Sequence, residues 1–240
     1  MIALLNPFWG AAGGGGADPY FANVQLLCHF DSSSGNPRTY VNESSLGAIV
    51  ANASGTVPDI SAAQSKFGGF SLAYGASGNS GCRSGASPSY SPGTGDFTEE
   101  FFFRIPSITT TYILMDCRTS APAADGYCIY CSGASGVITY ITNNIFAITS
   151  AGATTVANQW MHVAVARAGT STRMFIDGNQ VGSTYSDSAN YNQAHTHTLG
   201  NAYNWSAPTI NCYYDEWRIT VGVARYTSNF TAPVAAFPDS

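Results

Sequence analysis

From residue 20 onward, the sequence alternates between short runs of apolar and β-branched residues and clusters of Gly, Asn, Asp, Ser and Pro. The runs include V-Q-L-L-C-H-F at 24–30, F-T-E-E-F-F-F-R-I at 97–105, W-M-H-V-A-V-A-R at 160–167 and Y-Y-D-E-W-R-I-T-V at 213–221. Alternating and short apolar runs indicate β-strands, and no segment repeats at the helical period. The pattern therefore predicts an all-β fold, a two-sheet antiparallel jelly-roll sandwich.

The composition limits the partners of such a domain. Only 10% of the 240 residues are charged, the formal net charge is -5, and Lys66 is the single lysine. A chain without a basic patch cannot neutralise phosphates, which argues against nucleic acid and anionic membranes as partners. A neutral surface rich in hydroxyls and amides suits other protein subunits or neutral glycans, and 45% apolar content is enough for one large core.

The first 19 residues differ from the rest, because they join an apolar peptide to the flexible stretch Gly13–Gly16. The peptide lacks the basic start of a signal peptide, is interrupted by Asn6 and Pro7, and is too short to span a bilayer. We therefore predict a short extended anchoring arm at 1–19 and one domain at 20–240. Another subunit would hold the arm through Leu4, Leu5, Phe8 and Trp9. The alternative is that the arm folds back onto its own domain.

Cysteines are predicted to be reduced and buried, because a domain of this length needs no disulfide scaffold. The six are Cys28, Cys82, Cys117, Cys128, Cys131 and Cys212. Cys128 and Cys131 form a C-x-x-C, but no second pair stands at zinc spacing, and residues three apart on a strand point to opposite faces.

Several phrases, taken in order, resemble a known family. They are D-P-Y-F-A-N-V-Q-L-L-C-H-F-D at 18–31, S-A-A-Q-S-K-F-G-G-F-S-L at 61–72, G-D-F-T-E-E-F-F-F-R at 95–104, N-Q-W-M-H-V-A-V-A-R at 158–167, M-F-I-D-G-N-Q-V-G at 174–182 and D-E-W-R-I-T-V-G-V-A-R-Y-T-S-N-F-T-A-P at 215–233. Over roughly residues 18–238 the chain is similar to the laminin G-like, concanavalin A-like lectin/glucanase jelly roll of the type found in bacteriophage virion proteins. The resemblance implies two curved antiparallel sheets, a glycan-binding or adhesive module and a place on a phage particle. It does not imply catalysis.

Two pairs of adjacent acids, Asp215-Glu216 and Glu99-Glu100, are the candidates for a glycosidase site. Such a site needs two carboxyl groups about 5 Å apart, or somewhat farther. On a regular strand, adjacent side chains point to opposite faces and cannot meet this requirement. The chain is therefore predicted not to be an enzyme, and a polysaccharide-degrading hydrolase is the least favoured interpretation.

Alternation also predicts a different environment for each acid of N-C-Y-Y-D-E-W-R-I-T at 211–220. Asp215 would face the core, while Glu216 and Arg218 would lie on the other face and could pair. A buried carboxylate needs backbone N–H donors or a cation. Relatives in the resembled family carry a structural calcium near this strand, which implies a site formed by Asp31, Asn42 and Asp215. The alternative is an aspartate that ties down a loop, and the family more usually has an aspartate than an asparagine at the position of Asn42.

Aromatic and amide residues in two loops, Y-N-Q-A-H at 191–195 and N-A-Y-N-W-S at 201–206, suit glycan recognition. Aromatic faces stack on sugar C–H groups, and amides bind hydroxyls. The candidates are Tyr191, Asn192, Tyr203, Asn204 and Trp205, although the same residue types form subunit interfaces. His195 and His197 share a face, but with no third ligand they are interpreted as surface or interface residues, and His162 as a packed, hydrogen-bonded residue.

These observations predict a non-enzymatic phage virion structural protein, such as a decoration, fibre or tail-associated subunit. It would be made in the bacterial cytoplasm, join other virion subunits through residues 1–19 and display the sandwich at the particle surface. A homo-oligomer is expected, with a trimer favoured. The sandwich would bind host-surface glycans, and the alternative is a purely architectural capsid or tail subunit.

Overall fold

The computed structural model describes residues 16–34, 39–44, 49–52, 58–75, 81–119, 125–133, 135–191, 196–202 and 211–240. Within them the chain forms two sheets and two 3-10 turns, Phe21–Asn23 and Pro88–Tyr90. The strands of sheet A are β1 (Val24–Cys28), β5 (Asp59–Ser61), β6 (Ser71–Ala73), β8 (Phe97–Arg104), β13 (Met161–Ala168), β14 (Ser171–Ile176), β15 (Asn179–Ser186) and β17 (Tyr213–Val221). Those of sheet B are β2 (Ser33–Ser34), β3 (Thr39–Val41), β4 (Ile49–Asn52), β7 (Cys82–Arg83), β9 (Tyr112–Asp116), β10 (Tyr127–Cys131), β11 (Ile138–Thr142), β12 (Ile145–Thr149) and β16 (Thr198–Leu199).

The connections between the sheets are those of a jelly roll. Sheet A has the order β15-β14-β13-β8-β17-β6-β5, with β1 also paired to β17, and sheet B has the order β12-β11-β10-β9-β16-β7-β4-β3-β2. The chain passes from sheet A to sheet B after β8 and returns after β12, so that strands distant in sequence become neighbours. The prediction of an all-β, two-sheet antiparallel sandwich is confirmed.

The core lies between the sheets, because alternate residues of the central strands point inward. Phe101 and Phe103 of β8 and Trp217 of β17 belong to the core cluster, whereas Phe102 faces outward. The six cysteines are buried and free, as predicted. Burial raises the pKa of thiols such as that of Cys82, which keeps them protonated and unreactive.

The turn between β14 and β15 has the conformation that its sequence predicts. Asp177 and Gly178 have φ values of +47° and +79°, the positive pair of a type I′ hairpin turn. A Cβ on Gly178 would lie 2.1 Å from the carbonyl oxygen of Phe230. The turn is therefore in direct contact with the C-terminal segment, and the N–H of Phe230 donates to the carbonyl of Gly178 at 2.9 Å.

The C-terminal segment covers the outer face of sheet A. Phe237 packs in a cluster with Leu27 and Phe102, while Tyr226 and Phe230 pack on the small residues of β13. This segment turns an otherwise solvent-facing sheet surface into a second apolar layer.

The two ends of the described chain meet on that same face. The N–H of Asp18 donates to the carbonyl oxygen of Ser240 at 2.7 Å, and the Asp18 carboxylate binds Arg218 and Arg225 at 3.2 and 2.7 Å. Burial works to raise the pKa of Asp18, but the hydrogen bond and charge of Arg225 outweigh it and lower the pKa. The predicted arm residues Leu4, Leu5, Phe8 and Trp9 lie outside the described residues. No helix among the described residues is long and apolar enough to cross a membrane.

Strand β17 contains a bulge that alternation alone did not predict. The register with β8 shifts between Asp215 and Arg218, and Glu216 has a φ of +54°. Asp215 is paired with Phe102, whose side chain lies on the outer face, and directly opposed residues share a face. The prediction that Asp215 faces the core is therefore wrong, because one inserted residue shifts the alternation.

Candidate functional site

The outer face of sheet B lies on the opposite side of the sandwich from the two ends. The pairing registers place six side chains in one row across this face, from β12 to β7: Phe146, Ile141, Cys128, Asp116, Thr198 and Arg83. Since neighbouring strands are about 4.8 Å apart, this sheet B row extends over about 24 Å. Cys128, Asp116 and Thr198 in its middle are buried, so its exposed end at Phe146 is the best candidate for a ligand-binding surface among the described residues.

One end of the sheet B row is aromatic. The side chain of Phe146 is 70% exposed, the largest value among the exposed large apolar residues that the structure describes. Its ring lies 6.4 Å from the ring of the half-buried Tyr130 in an edge-to-face arrangement. Ile145 beside it is also exposed. The rings of Phe146 and Tyr130 together offer an aromatic face to an apolar or sugar C–H surface.

The middle of the row is polar and rigid. The buried Asp116 accepts hydrogen bonds from Arg118 Nε at 2.9 Å, from Arg118 Nη2 at 2.8 Å and from the Arg118 backbone N–H at 3.0 Å. A bidentate pair of this kind fixes the guanidinium plane. Asp116 lies three strand spacings, or about 14 Å, from Phe146. Its side chain is buried, so its role is to orient Arg118.

These residues were not predicted as a site from the sequence. The one available signal was that Ile145 and Phe146 are consecutive apolar residues at the start of a strand on the edge of its sheet, where one of them must face solvent.

The predicted glycan-binding residues are only partly within the described chain. Tyr191 is 1% exposed, and its hydroxyl oxygen lies 2.7 Å from Thr142 Oγ1 and 3.1 Å from Asp187 Oδ2. The guanidinium of Arg167 lies 4.9 Å from the centroid of the Tyr191 ring. The prediction that Tyr191 binds a glycan is wrong, because both its ring and its hydroxyl are used inside the fold. Asn192, Tyr203, Asn204 and Trp205 lie outside the described residues.

Glu99 is the acceptor at the centre of the core. Its Oε1 accepts from Trp217 Nε1 at 2.9 Å, and its Oε2 accepts from Tyr127 at 2.7 Å and contacts His197 Nδ1 at 3.0 Å. These three partners explain how a carboxylate is accommodated in the core. His197 is therefore a core residue, and its interpretation as a surface or interface histidine is wrong.

Glu100 points to the outer face, opposite to Glu99 as alternation predicted, and is also fully engaged. Its Oε1 binds Arg218 Nε and Nη2 at 3.0 and 2.7 Å, and its Oε2 binds His162 Nε2 and the Tyr226 hydroxyl at 3.1 and 2.9 Å. Burial alone would raise the pKa of Glu100, but Arg218 and His162 outweigh it and hold the pKa well below its usual range. His162 is buried and hydrogen-bonded, as predicted.

Glu216 pairs with His29 and not with Arg218. Both oxygens of Glu216 lie within hydrogen-bonding distance of His29 Nδ1, at 2.8 and 2.9 Å, and Oε2 also accepts from the backbone N–H of Phe237 at 2.7 Å. The predicted Glu216–Arg218 pair is wrong, because Arg218 faces Glu100 on β8. Each acid of the two adjacent pairs thus has partners that serve the fold.

Asp215 ties down a loop, the simpler of the two predicted roles. Its Oδ2 accepts from the backbone N–H groups of Lys66 and Phe67 at 2.7 and 3.2 Å. Asp31 acts on the same loop, where its carboxylate accepts from the backbone of Phe70 and lies against Gly68. Two carboxylates therefore hold the segment K-F-G-G-F at 66–70.

The predicted calcium ligands do not form one set. Asn42 Oδ1 accepts from the backbone N–H groups of Leu27 and Ser44 at 2.8 and 3.1 Å, which occupies both of its lone pairs. Asp215 Oδ1 is a buried oxygen without a hydrogen bond, but calcium needs six to eight oxygen ligands. Asn42 was wrongly predicted as a ligand, because it caps the backbone at the end of β3. Asp31 and Asp215 alone do not fit a calcium site.

Two antiparallel sheets with jelly-roll connections define a lectin-like sandwich. The model of the concanavalin A-like lectin/glucanases superfamily, Laminin_G_3, matches residues 76–223. The chain belongs to this superfamily, as its phrases indicated. No curated protein sequence matches the chain.

Solved structures of the same fold include toxin binding domains and a sialidase. A botulinum neurotoxin type C structure, described as depending on two ganglioside molecules for entering cells, is 14% identical with a TM-score of 0.57, over 84% of this chain and 48% of that one. The binding domain of Paraclostridial Mosquitocidal Protein 1 is 12% identical with a TM-score of 0.58, over 86% of this chain and 50% of that one. Trypanosoma rangeli sialidase in complex with sialic acid is 12% identical with a TM-score of 0.60, over 83% of this chain and 31% of that one. The chain spans half or less of these structures, and the likeness concerns the fold.

Proposed function

We propose that this chain is a non-enzymatic glycan-binding module displayed on a phage particle. The observation that carries the glycan-binding part is one end of the sheet B row, where the exposed Phe146 lies beside the half-buried Tyr130. About 14 Å away, the buried Asp116 fixes the guanidinium of Arg118. A stacking surface with a few oriented polar groups is what sugar recognition requires. Two structures of the same fold, one named for its gangliosides and one for sialic acid, support this proposal.

The positions of the ends support the display of this face. The described chain begins and ends on the outer face of sheet A, where Asp18 meets Ser240. An arm at 1–19 that is held by other virion subunits would leave the sheet B row pointing away from the particle. The phrase D-E-W-R-I-T-V-G-V-A-R-Y-T-S-N-F-T-A-P at 215–233, similar to phage proteins, supports the virion setting, in which a trimer remains the favoured assembly.

The non-enzymatic part is supported by the carboxylates. Glu99, Glu100 and Glu216 bind buried donors of the fold, and Asp215 holds a loop. Recruiting any of them for acid–base chemistry would expose those donors, so the residues serve stability and not hydrolysis.

Binding to host-cell surface glycans tests the proposal. We expect Phe146→Ala and Tyr130→Ala to weaken binding about fivefold, since stacking of this kind contributes about 1 kcal/mol. Phe70→Ala is the matched control, because Phe70 is an exposed aromatic residue on the β5–β6 connection of sheet A. Binding that is equal in all three variants and in the unaltered protein would remove the sheet B row as the glycan site.

Deletion of residues 1–16 tests the anchoring arm. The truncated chain should fold, bind glycans as before and no longer join the particle. Incorporation of the truncated chain into particles would contradict the arm as the anchor.

A purely architectural role is the second candidate, because β12 is an edge strand with exposed Ile145 and Phe146 and could contact a neighbouring subunit. Particle assembly that fails with Phe146→Ala, together with unchanged glycan binding, would favour this alternative.

A further inference from the structure

Three side chains from distant parts of the chain converge at the edge of the outer face of sheet A. His29 follows β1, Glu43 follows β3, and Asp239 is next to the last residue. One ligand atom of each lies within 4.8 Å of the ligand atoms of the other two. We propose that His29, Glu43 and Asp239 bind a divalent transition-metal ion, of which zinc is the representative.

The imidazole of His29 is oriented as in a metal-binding histidine. Its Nδ1 lies 2.8 and 2.9 Å from the two oxygens of Glu216, a carboxylate that is 1% exposed. A carboxylate on one ring nitrogen fixes the tautomer and leaves the lone pair of the other nitrogen, Nε2, for a metal. Glu216 is itself held by the backbone N–H of Phe237 at 2.7 Å, so the arrangement behind the ring is rigid.

The two carboxylates are exposed, but their backbones are fixed. The N–H of Glu43 donates to the carbonyl oxygen of Leu27 at 2.8 Å, two residues before His29. Asp239 lies between the buried Phe237, whose ring is 3.8 Å from the Arg218 guanidinium, and Ser240, which accepts from Asp18. The three ligands therefore need only side-chain rotations to close on an ion.

The charges at this position also favour a cation. Glu216 and Asp31 lie close to His29 in addition to the two proposed carboxylate ligands. Exposed acids alone would not define a site, but here an imidazole stands among them with one of its ring nitrogens already bound to Glu216. A dication would compensate these carboxylates at one point.

The ligand set determines which ion is expected. One imidazole nitrogen and two carboxylate oxygens suit zinc or another divalent transition metal, and leave a coordination position for water. Calcium and magnesium prefer sets made entirely of oxygen. The site differs from the predicted set of Asp31, Asn42 and Asp215, and shares no residue with the sheet B row.

Binding would connect the end of β1 to the C-terminal segment. The ion would hold the segment that covers sheet A against the strand on which it packs. Because the ligands come together only in the folded chain, binding would stabilise the fold.

Thermal melting of the full, tag-free chain after removal of metals by chelation tests the site. We expect an excess of Zn²⁺ to raise the Tm by on the order of 5 °C and the same concentrations of Ca²⁺ or Mg²⁺ to have no such effect. Co²⁺ should give the visible absorption of a site with one nitrogen and two oxygen ligands.

Glu43→Gln and Asp239→Asn should each abolish the zinc shift without lowering the Tm of the metal-free protein, because both side chains are exposed. His29→Gln should abolish it too, although the loss of the Glu216 pair would lower the starting Tm. Asp125→Asn, in the β9–β10 connection of sheet B, is the control and should keep the full shift. The absence of a zinc shift in the unaltered chain, an equal shift with Ca²⁺, or a shift that survives in both carboxylate variants would overturn the proposal.

Discussion

The indole N–H of Trp217 donates a 2.9 Å hydrogen bond to Oε1 of Glu99 in the core of the sandwich. Tyr127 and His197 bind the other oxygen from sheet B, so one carboxylate joins the two sheets across the sandwich. The acid that first suggests catalysis is therefore a structural element of the core.

Replacing Glu99 should destabilise the protein strongly. We expect Glu99→Leu to lower the free energy of unfolding by about 3–5 kcal/mol, because three buried donors would lose their acceptor. Glu99→Gln should cost less, since its amide oxygen can still accept from Trp217. Urea unfolding measures the order of the two variants, and a Leu variant as stable as the unaltered protein would contradict the assigned role.

Glu100 should dominate the loss of stability in acid. Its pKa is held well below the usual value of 4.5 in the folded state, so its contribution is present above pH 4.5 and is lost as the pH falls further. Glu100→Gln should cost about 3–5 kcal/mol at pH 7, because Arg218 stays buried without its partner. The difference from the unaltered protein should shrink between pH 5 and pH 2. A constant difference across that range would contradict the prediction.

The stability contributed by Asp215 should depend on pH in the opposite direction to that contributed by Glu100. Burial raises its pKa from 3.8 to about 7, despite the lowering effect of the Lys66 backbone hydrogen bond. The stability it contributes is therefore fully present below pH 3.8 and is lost as the pH rises through 7. We expect Asp215→Asn to be more stable than the unaltered protein at pH 8 by on the order of 1–3 kcal/mol, since an amide can accept from the same N–H groups without carrying a charge.

Melting curves between pH 4 and pH 8 check this prediction. The advantage of the Asn variant should grow with pH. An Asn variant that loses stability equally at all pH values would show that the ionised carboxylate is the form that the loop requires.

Gly68 and Gly69 form a matched pair for testing the Asp31 contact. Both have positive φ values, +62° and +92°, but only a Cβ on Gly68 would meet the Asp31 carboxylate, at 2.1 Å, while nothing lies within 4 Å of one on Gly69. Gly68→Ala should therefore destabilise the protein by about 1–2 kcal/mol more than Gly69→Ala.

A double variant distinguishes backbone strain at Gly68 from the contact between the new Cβ and Asp31. Asp31→Ala should remove most of the extra cost of Gly68→Ala in a double-mutant cycle measured by urea unfolding. An extra cost that remains in the Asp31→Ala background would place its origin in the backbone of Gly68.

The parts of the fold that depend on local pattern were predicted, and those that depend on distant partners were not. Alternation placed Glu99 and Glu100 on opposite faces, and the Asp177-Gly178 pair formed the expected turn. The bulge at Glu216 inserts one residue into a strand without changing its composition, so nothing local indicates it. It moved Asp215 to the other face and gave Glu216 a different partner.

The candidate sites show the same limit. Tyr191 was placed in a binding loop because its neighbours are polar, yet Thr142 and Asp187 bind its hydroxyl in the core. Phe146 and Asp116 are separated along the chain and become part of one row only through the registers of β9 to β12. Such a row is a property of the sheet and is not visible in any one segment.

The hydrogen bond between Asp18 and Ser240 has a consequence for protein engineering. Because Asp18 and Ser240 lie side by side, a short linker could join them and close residues 18–240 into a ring. New chain ends could then be opened at a hairpin such as Asn143-Asn144. For the same reason the sandwich could be inserted whole into a loop of an unrelated host protein, whose two loop ends would need to be only a few ångströms apart.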